Sequence, residues 1–206
     1  MRLALQSPNI KIRLDAYNCE RGTIGYCPVC LEKVKNHVGD IKRPYFAHPK
    51  NSDCISTHWD MSDWHIDWQN KFPIENQEIV ERANNEIHRA DVLINNTVIE
   101  FQHSPINRED FDNRCRFWIG QGKNIVWLFD LQDKAYKLDC GNDIELRVFE
   151  MLHQTEYLFK ANLHFQINDN TILKVTGGHE GDYFTHGYFT TDNLTPEEFI
   201  KQYSTN

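Results

Sequence analysis

The stretch His88-Arg89-Ala90-Asp91-Val92-Leu93-Ile94-Asn95-Asn96-Thr97-Val98-Ile99-Glu100-Phe101-Gln102 decides how the chain is read. Two apolar, β-branched runs flank Asn95-Asn96, and asparagine tolerates the positive φ that a two-residue hairpin turn requires. Counting back from the turn sets Ile94 against Thr97, Leu93 against Val98, Val92 against Ile99 and Asp91 against Glu100. Directly opposed residues have Cβ atoms about 4.5 to 5.5 Å apart, close enough for one divalent cation to bridge two carboxylates. One step further, Gln102 faces Arg89 on the same side, because side chains repeat every second residue. Val92, Ile99 and Phe101 then point to the opposite face. The plainer alternative is a half-exposed hairpin with a solvated charged face.

Working outward, residues 77–82 read as a strand that Asn84-Asn85 turns into this hairpin, which puts Glu78 beside Asp91 as a spare acid. Before it, residues 61–72 place Met61, Trp64, Trp68 and Phe72 on one helical face, and Pro73 cannot continue the helix. His65 and Gln69 form a polar stripe beside them. Asp63, His65 and Gln69 either reach the hairpin's carboxylates or form an ordinary wet side. After the hairpin, Asn107 caps a helix running to Gly120 and Gly122, and the apolar run at residues 125–129 reads as a buried strand reached by a crossover. Arg114 and Arg116 on that helix contact phosphate or meet water, and water is the default.

Residues 4–17 carry one or two short strands. Cys27-Pro28-Val29-Cys30, then His48 and Cys54, supply four soft ligands that suit tetrahedral zinc in a closed, structural site, with Cys19 as a substitute ligand. So small a segment lacks buried area, and a metal would make up the deficit. The alternative is a buried cysteine pair with a surface histidine. Cys115 and Cys140 sit in apolar patterns as reduced thiols, which favours a reducing compartment.

The chain has 206 residues, 40% hydrophobic and 12% aromatic, enough for one good core and a small appended module. No apolar run approaches the roughly 18 residues that span a bilayer, and a soluble, cytoplasmic protein without membrane partners is expected. Net charge is -8, which argues against a globally basic nucleic-acid binder, but it is unevenly spread. Residues 1–56 hold nine Lys/Arg against five Asp/Glu. A basic end on an acidic body fits a protein that grips phosphates with one part and holds metal with another.

The order helix, strand, hairpin, helix, strand, with Asp91 and Glu100-Phe-Gln102, resembles the competence protein CoiA-like family within the PD-(D/E)XK nuclease superfamily. The resemblance also rests on Cys27-Pro-Val-Cys30, Arg43-Pro-Tyr-Phe-Ala-His48, Asp53-Cys54, Trp64-His65-x-x-Trp68-Gln69, Arg89-Ala-Asp91-Val-Leu and Ile99-Glu100-Phe-Gln102-x-Ser104, across roughly residues 19–130. It implies an α/β (α+β) fold: a restriction-endonuclease-like mixed sheet core flanked by helices, with an N-terminal zinc-knuckle module. The domains expected are 1–58 for zinc binding, 59–140 for the nuclease-like core and 141–206 as an extension. It further implies a bacterial, magnesium- or manganese-dependent nuclease acting on DNA in uptake, recombination or defence. Asp91 and Glu100 would hold the cation, Gln102 would stand where relatives of the wider fold carry a water-orienting lysine, and Asp63, His65 and Gln69 would complete the site. Gln69 also occupies a place where lysine is frequent. Candidate nucleic-acid contacts are Lys42, Arg43, Arg89 and Arg114. A nucleic-acid-binding or scaffold protein on a retained nuclease fold is the alternative.

In residues 141–206, stretches 145–151, 157–165 and 172–175 read as strands or short helices, residues 177–182 as a loop, and Thr195-Pro196-Glu197-Glu198 as a helix start. Ten acids against four bases suit an extension that covers the core's open edge, a second copy or a partner protein. His179, His186 and Tyr188 lie in polar surroundings where function is the less common role.

Overall fold

A computed structural model describes residues 1–54, 61–132, 137–138, 143–145, 157, 160–179 and 188–204. Cys140, His186 and most of the 145–151 stretch lie outside the described residues. The fold is mixed α+β, with two sheets and three α-helices among the described residues. The chain divides into two compact units, Met1–Met61 with Pro73–Arg89, and Ser62–Phe72 with Ala90–Asn206. That division differs from cuts at 58 and 140. Residues 73–89 group with the N-terminal segment, and the described part of the C-terminal extension joins the larger unit.

In the N-terminal unit, β1 (Leu3–Ser7), β2 (Ile10–Asp15), β3 (Ile24–Tyr26), β4 (Lys33–His37) and β5 (Tyr45–Ala47) form a sheet in the order β2-β1-β3-β4-β5. Ala4, Ala16, Cys27, Val34 and Phe46 make its small core. Five short strands close over so few apolar residues only by tight approach: a Cβ on Gly25 would meet the Ala4 Cβ at 2.7 Å. A buried ion pair, Arg2 to Asp15 at 2.8 Å, ties the first strand to the second. Also in this unit, β6 (Gln77–Ala83) turns through Asn84 and Asn85, at φ 51° and 65°, into the first residues of β7 (Glu86–Ile94).

In the larger unit, β7 continues into β8 (Thr97–Gln102), with Val92 on Ile99, Leu93 on Val98 and Ile94 on Thr97, the register that the Asn95-Asn96 turn predicts. The helix α2 (Arg108–Gly120) leads to β9 (Asn124–Asp130), which pairs in parallel with β8. Asn107 caps α2 by accepting from the Asp110 amide at 2.8 Å. Next come β10 (Lys137–Leu138), β11 (Asp143–Glu145), β12 (Asn162–Asn168), β13 (Thr171–His179) and β14 (Tyr188–Leu194). The order from β7 outward is β7-β8-β9-β12-β13-β14-β11-β10. On the side of β9 away from β8, β12 pairs with it in parallel, from Asn162 on Val126 to Gln166 on Asp130.

Two readings change. Gly177, Gly178 and His179 are strand rather than loop, paired with Thr190, Phe189 and Tyr188 past a register shift. Glycine weakens a strand without forbidding it where a neighbour supplies the ladder. The helix before the hairpin, α1 (Asp63–Gln69), is shorter than residues 61–72, because the Ser62 hydroxyl accepts from the His65 amide and fixes a later start.

One face of this sheet buries Val92, Ile94, Ile99, Phe101, Val126 and Leu128 against Trp68, Phe72 and Phe199, the last from α3 (Pro196–Ser204). The Gln166 side-chain oxygen accepts from both Trp64 and Trp68 indoles, at 2.7 and 2.8 Å, which fixes α1 over the sheet. On α2, Phe111 packs on Trp127 with ring centroids 5.0 Å apart.

Candidate active site and metal centre

The strand ladder gives way one residue beyond Val92. In a continued antiparallel pairing the Phe101 amide would donate to the Ala90 carbonyl. It donates instead to Asp91 Oδ2 at 2.9 Å, while the Gln69 amide donates to the Asp91 carbonyl at 3.3 Å. His65 Nε2 lies 3.2 Å from Asp91 Oδ1. The Trp64-His65-x-x-Trp68-Gln69 stretch therefore meets Asp91 twice, through residues one helical turn apart.

Glu100 is buried on β8, its Oε2 accepting from the Arg114 guanidinium at 2.6 Å and its Oε1 from the Trp118 indole at 3.2 Å. Arg114 and Trp118 are four apart on α2 and so share a face. Burial pushes the Glu100 carboxyl up to about 7; Arg114 opposes the rise and the Asp91 charge adds to it. Burial acts on Asp91 in the same sense but is outweighed by His65, Arg114 and the Phe101 amide, which hold it down at about 2. Arg114 is raised despite its own burial, because both carboxylates face it.

The site therefore joins Asp91, Glu100, His65, Gln69 and Arg114. Gln102 closes β8 and donates to the Ser104 carbonyl at 2.5 Å. Asp63 is exposed at the first residue of α1. Of the proposed nucleic-acid contacts, Arg114 points inward to Glu100. In the N-terminal unit, Lys42 is exposed, Arg43 donates to the Met61 carbonyl at 2.9 Å, and Arg89 pairs with buried Glu78 at 3.0 Å. Glu78 is thus engaged by Arg89 within that unit. Trp118 was missed by the sequence reading, although its spacing from Arg114 signals a shared face.

A second constellation belongs to the N-terminal unit. The ligand atoms of Cys27, Cys30, His48 and Cys54 all lie within 4.8 Å of one another, the one such group of three or more metal-ligating residue types among the described residues. Cys27 Sγ and Cys54 Sγ are 3.9 Å apart, and Cys30 Sγ and His48 Nε2 3.2 Å. Tetrahedral zinc, with bonds of about 2.3 Å to sulfur and 2.0 to 2.1 Å to nitrogen, needs edges of about 3.8 and 3.5 Å. The donor set fits such a metal. Leu31, at φ 63°, completes the turn after Cys30, and the Val29 amide donates to Cys27 Sγ at 3.3 Å. Burial pushes the Cys30 thiol up to about 12; Glu32 opposes this, while Cys54 and Cys27 add to it. A dication favours the thiolates instead. Cys19 lies outside the cluster and packs against the small core.

The larger unit sets two buried acids on a mixed sheet at the point where β7 and β8 part, as the nuclease-like reading expects. Comparison with protein families agrees: the model of the competence protein CoiA nuclease-like domain matches residues 57–177, and that of the CoiA N-terminal domain matches residues 18–57. The chain belongs to the competence protein CoiA family, and the nuclease-like domain implies the PD-(D/E)XK superfamily. No curated protein and no solved structure matched. Among the described residues, no helix is long and apolar enough to cross a membrane.

Proposed function

We propose that the chain is a metal-dependent nuclease that hydrolyses DNA phosphodiester bonds. The observation that carries this reading is the pair Asp91 and Glu100, both buried at the point where β7 and β8 part. Two carboxylates there repel: burial is the chief cause that raises the Glu100 carboxyl, Arg114 opposes the rise, and the Asp91 charge adds to it. Their hard oxygen donors fit magnesium or manganese. Such a cation would polarise the phosphoryl oxygen and lower the pKa of the attacking water. His65 and Gln69 hold Asp91 in place, and Trp118 and Arg114 hold Glu100. Gln102 would hydrogen-bond water or substrate, since an amide both donates and accepts but brings no charge. The cysteine and histidine cluster is a structural zinc site, and the basic N-terminal segment contacts the phosphate backbone.

A nucleic-acid-binding protein on a retained nuclease fold is favoured by one observation: both Glu100 oxygens already hold protein donors. Cleavage of linear, circular and single-stranded DNA with magnesium or manganese, compared among the native chain, Asp91→Asn and Glu100→Gln, decides. Cutting that requires metal and both acids supports the nuclease. DNA binding that is equal in all three proteins, without cutting, supports the binder.

A further inference from the structure

A second histidine and carboxylate pair lies at the ends of two parallel strands. His103 directly follows Gln102 at the end of β8, and its Nδ1 lies 2.6 Å from Oδ2 of Asp130, the last residue of β9. Asp130 is buried, and its other oxygen accepts from the Gln132 amide at 3.1 Å. The His103 ring is 50% exposed and rests 6.0 Å from the Trp64 ring, the neighbour of His65 on α1. That same Trp64 packs edge-on against Phe101, and so does the His65 ring of the first pair. An exposed imidazole is thus held from one side by a buried, anchored acid and from the other by an indole, where two parallel strands end.

We infer that His103, oriented by Asp130, is a catalytic residue that gives a proton to the leaving oxygen of the phosphodiester. The inference rests on the nuclease reading and adds to it a group outside the Asp91 and Glu100 pair. A carboxylate accepts only, so the Nδ1 hydrogen is donated to Asp130 and Nε2 is the nitrogen that transfers the proton. In the step, water oxygen forms a bond to phosphorus and the bond from phosphorus to the leaving oxygen breaks. The leaving alkoxide takes the Nε2 proton and departs as an alcohol. The proton released by the attacking water passes to bulk water, from which the imidazole is reprotonated. Asp130 keeps accepting the Nδ1 hydrogen and so orients the ring. Neither Gln102 nor Arg114 can replace this donor, the first being neutral and the second holding its proton too tightly.

Leaving-group chemistry tests the assignment. Native protein, His103→Asn and Asp130→Asn, each checked for native circular dichroism, are assayed on a DNA oligonucleotide and on bis(p-nitrophenyl) phosphate. The DNA leaving group is an alkoxide that needs a proton, whereas p-nitrophenolate leaves without one. The expected result for His103→Asn is a loss of about 100-fold or more on DNA with the nitrophenyl ester cut within a few-fold of native. Asp130→Asn is expected to show the same pattern at smaller size. An equal loss on both substrates, or no loss on DNA, overturns the proton-donor role while leaving the nuclease reading intact. If the native protein cuts neither substrate, the nuclease reading itself falls, and His103 and Asp130 are only a tether between strand ends.

Discussion

The Asp91 side chain stands in for a strand: its Oδ2 takes the Phe101 amide hydrogen at 2.9 Å, the bond that a neighbouring backbone would otherwise make. The carboxylate thereby holds β7 and β8 apart while its other oxygen remains beside His65. Asp91→Ala leaves the buried Phe101 amide without that acceptor and is expected to lower stability by about 1 to 3 kcal/mol. Asp91→Asn keeps an acceptor and should lose markedly less, although both variants lose cleavage. Urea midpoints measure the difference. Identical midpoints for the two variants would show that the strand separation does not depend on this bond.

Glu100 predicts an unusual pH dependence in the absence of divalent cations. Its folded carboxyl titrates at about 7 against an ordinary value of 4.5. Between those values the folded state holds a proton that the unfolded state has lost, so this group's stabilising contribution, complete below 4.5, disappears as pH rises through 7. The loss is on the order of a few kcal/mol. Asp91 acts oppositely, its contribution being present above the ordinary 3.8 and lost as pH falls through about 2. Urea unfolding in EDTA from pH 5 to 8 should show the native protein weakening relative to Glu100→Gln, in which this titration is removed. Parallel curves would refute the assignment to Glu100.

How far the sequence could be read depended on range. Asn95-Asn96 and the alternating apolar positions predict the register of β7 and β8, because turn and pattern are local. The Asn107 cap and the closing glycines bound α2 for the same reason. Trp118 on Glu100 and Asp130 on His103 depend on which strand lies beside which, and no local period encodes that. Arg114 shows the limit most plainly: sequence gives an arginine on a helix, whereas packing turns it from phosphate toward a buried acid. Gly177 and Gly178 misled in the other direction, since a paired neighbour supports strand where composition suggests a loop.

The last helix offers a local test of stability. The Thr195 hydroxyl accepts from the Glu198 amide at 3.2 Å and the Glu198 carboxylate accepts from the Thr195 amide at 2.8 Å, a reciprocal cap on α3. That helix carries Phe199 into the core against Trp68, with ring centroids 5.5 Å apart. Thr195→Ala is expected to lower stability by about 1 kcal/mol, read as a fall in the thermal midpoint. Thr195→Ser should recover most of it, and failure to recover would place the effect outside the cap.

The N-terminal cluster predicts one zinc per chain, released with unfolding of a unit whose core cluster is small, Ala4, Ala16, Cys27, Val34 and Phe46. Metal analysis of purified protein should give one equivalent, and Cys54→Ser or His48→Ala should reduce occupancy and loosen the N-terminal unit, read as new protease cleavage within residues 1–54. Cys19→Ser separates the true ligand set from its substitute: Cys19 lies outside the cluster, so zinc content should stay at one equivalent. A strong chelator should reproduce the Cys54→Ser pattern in native protein, because a metal that completes a small core contributes its binding free energy to folding. Full zinc content in Cys54→Ser together with loss in Cys19→Ser would reassign the fourth ligand.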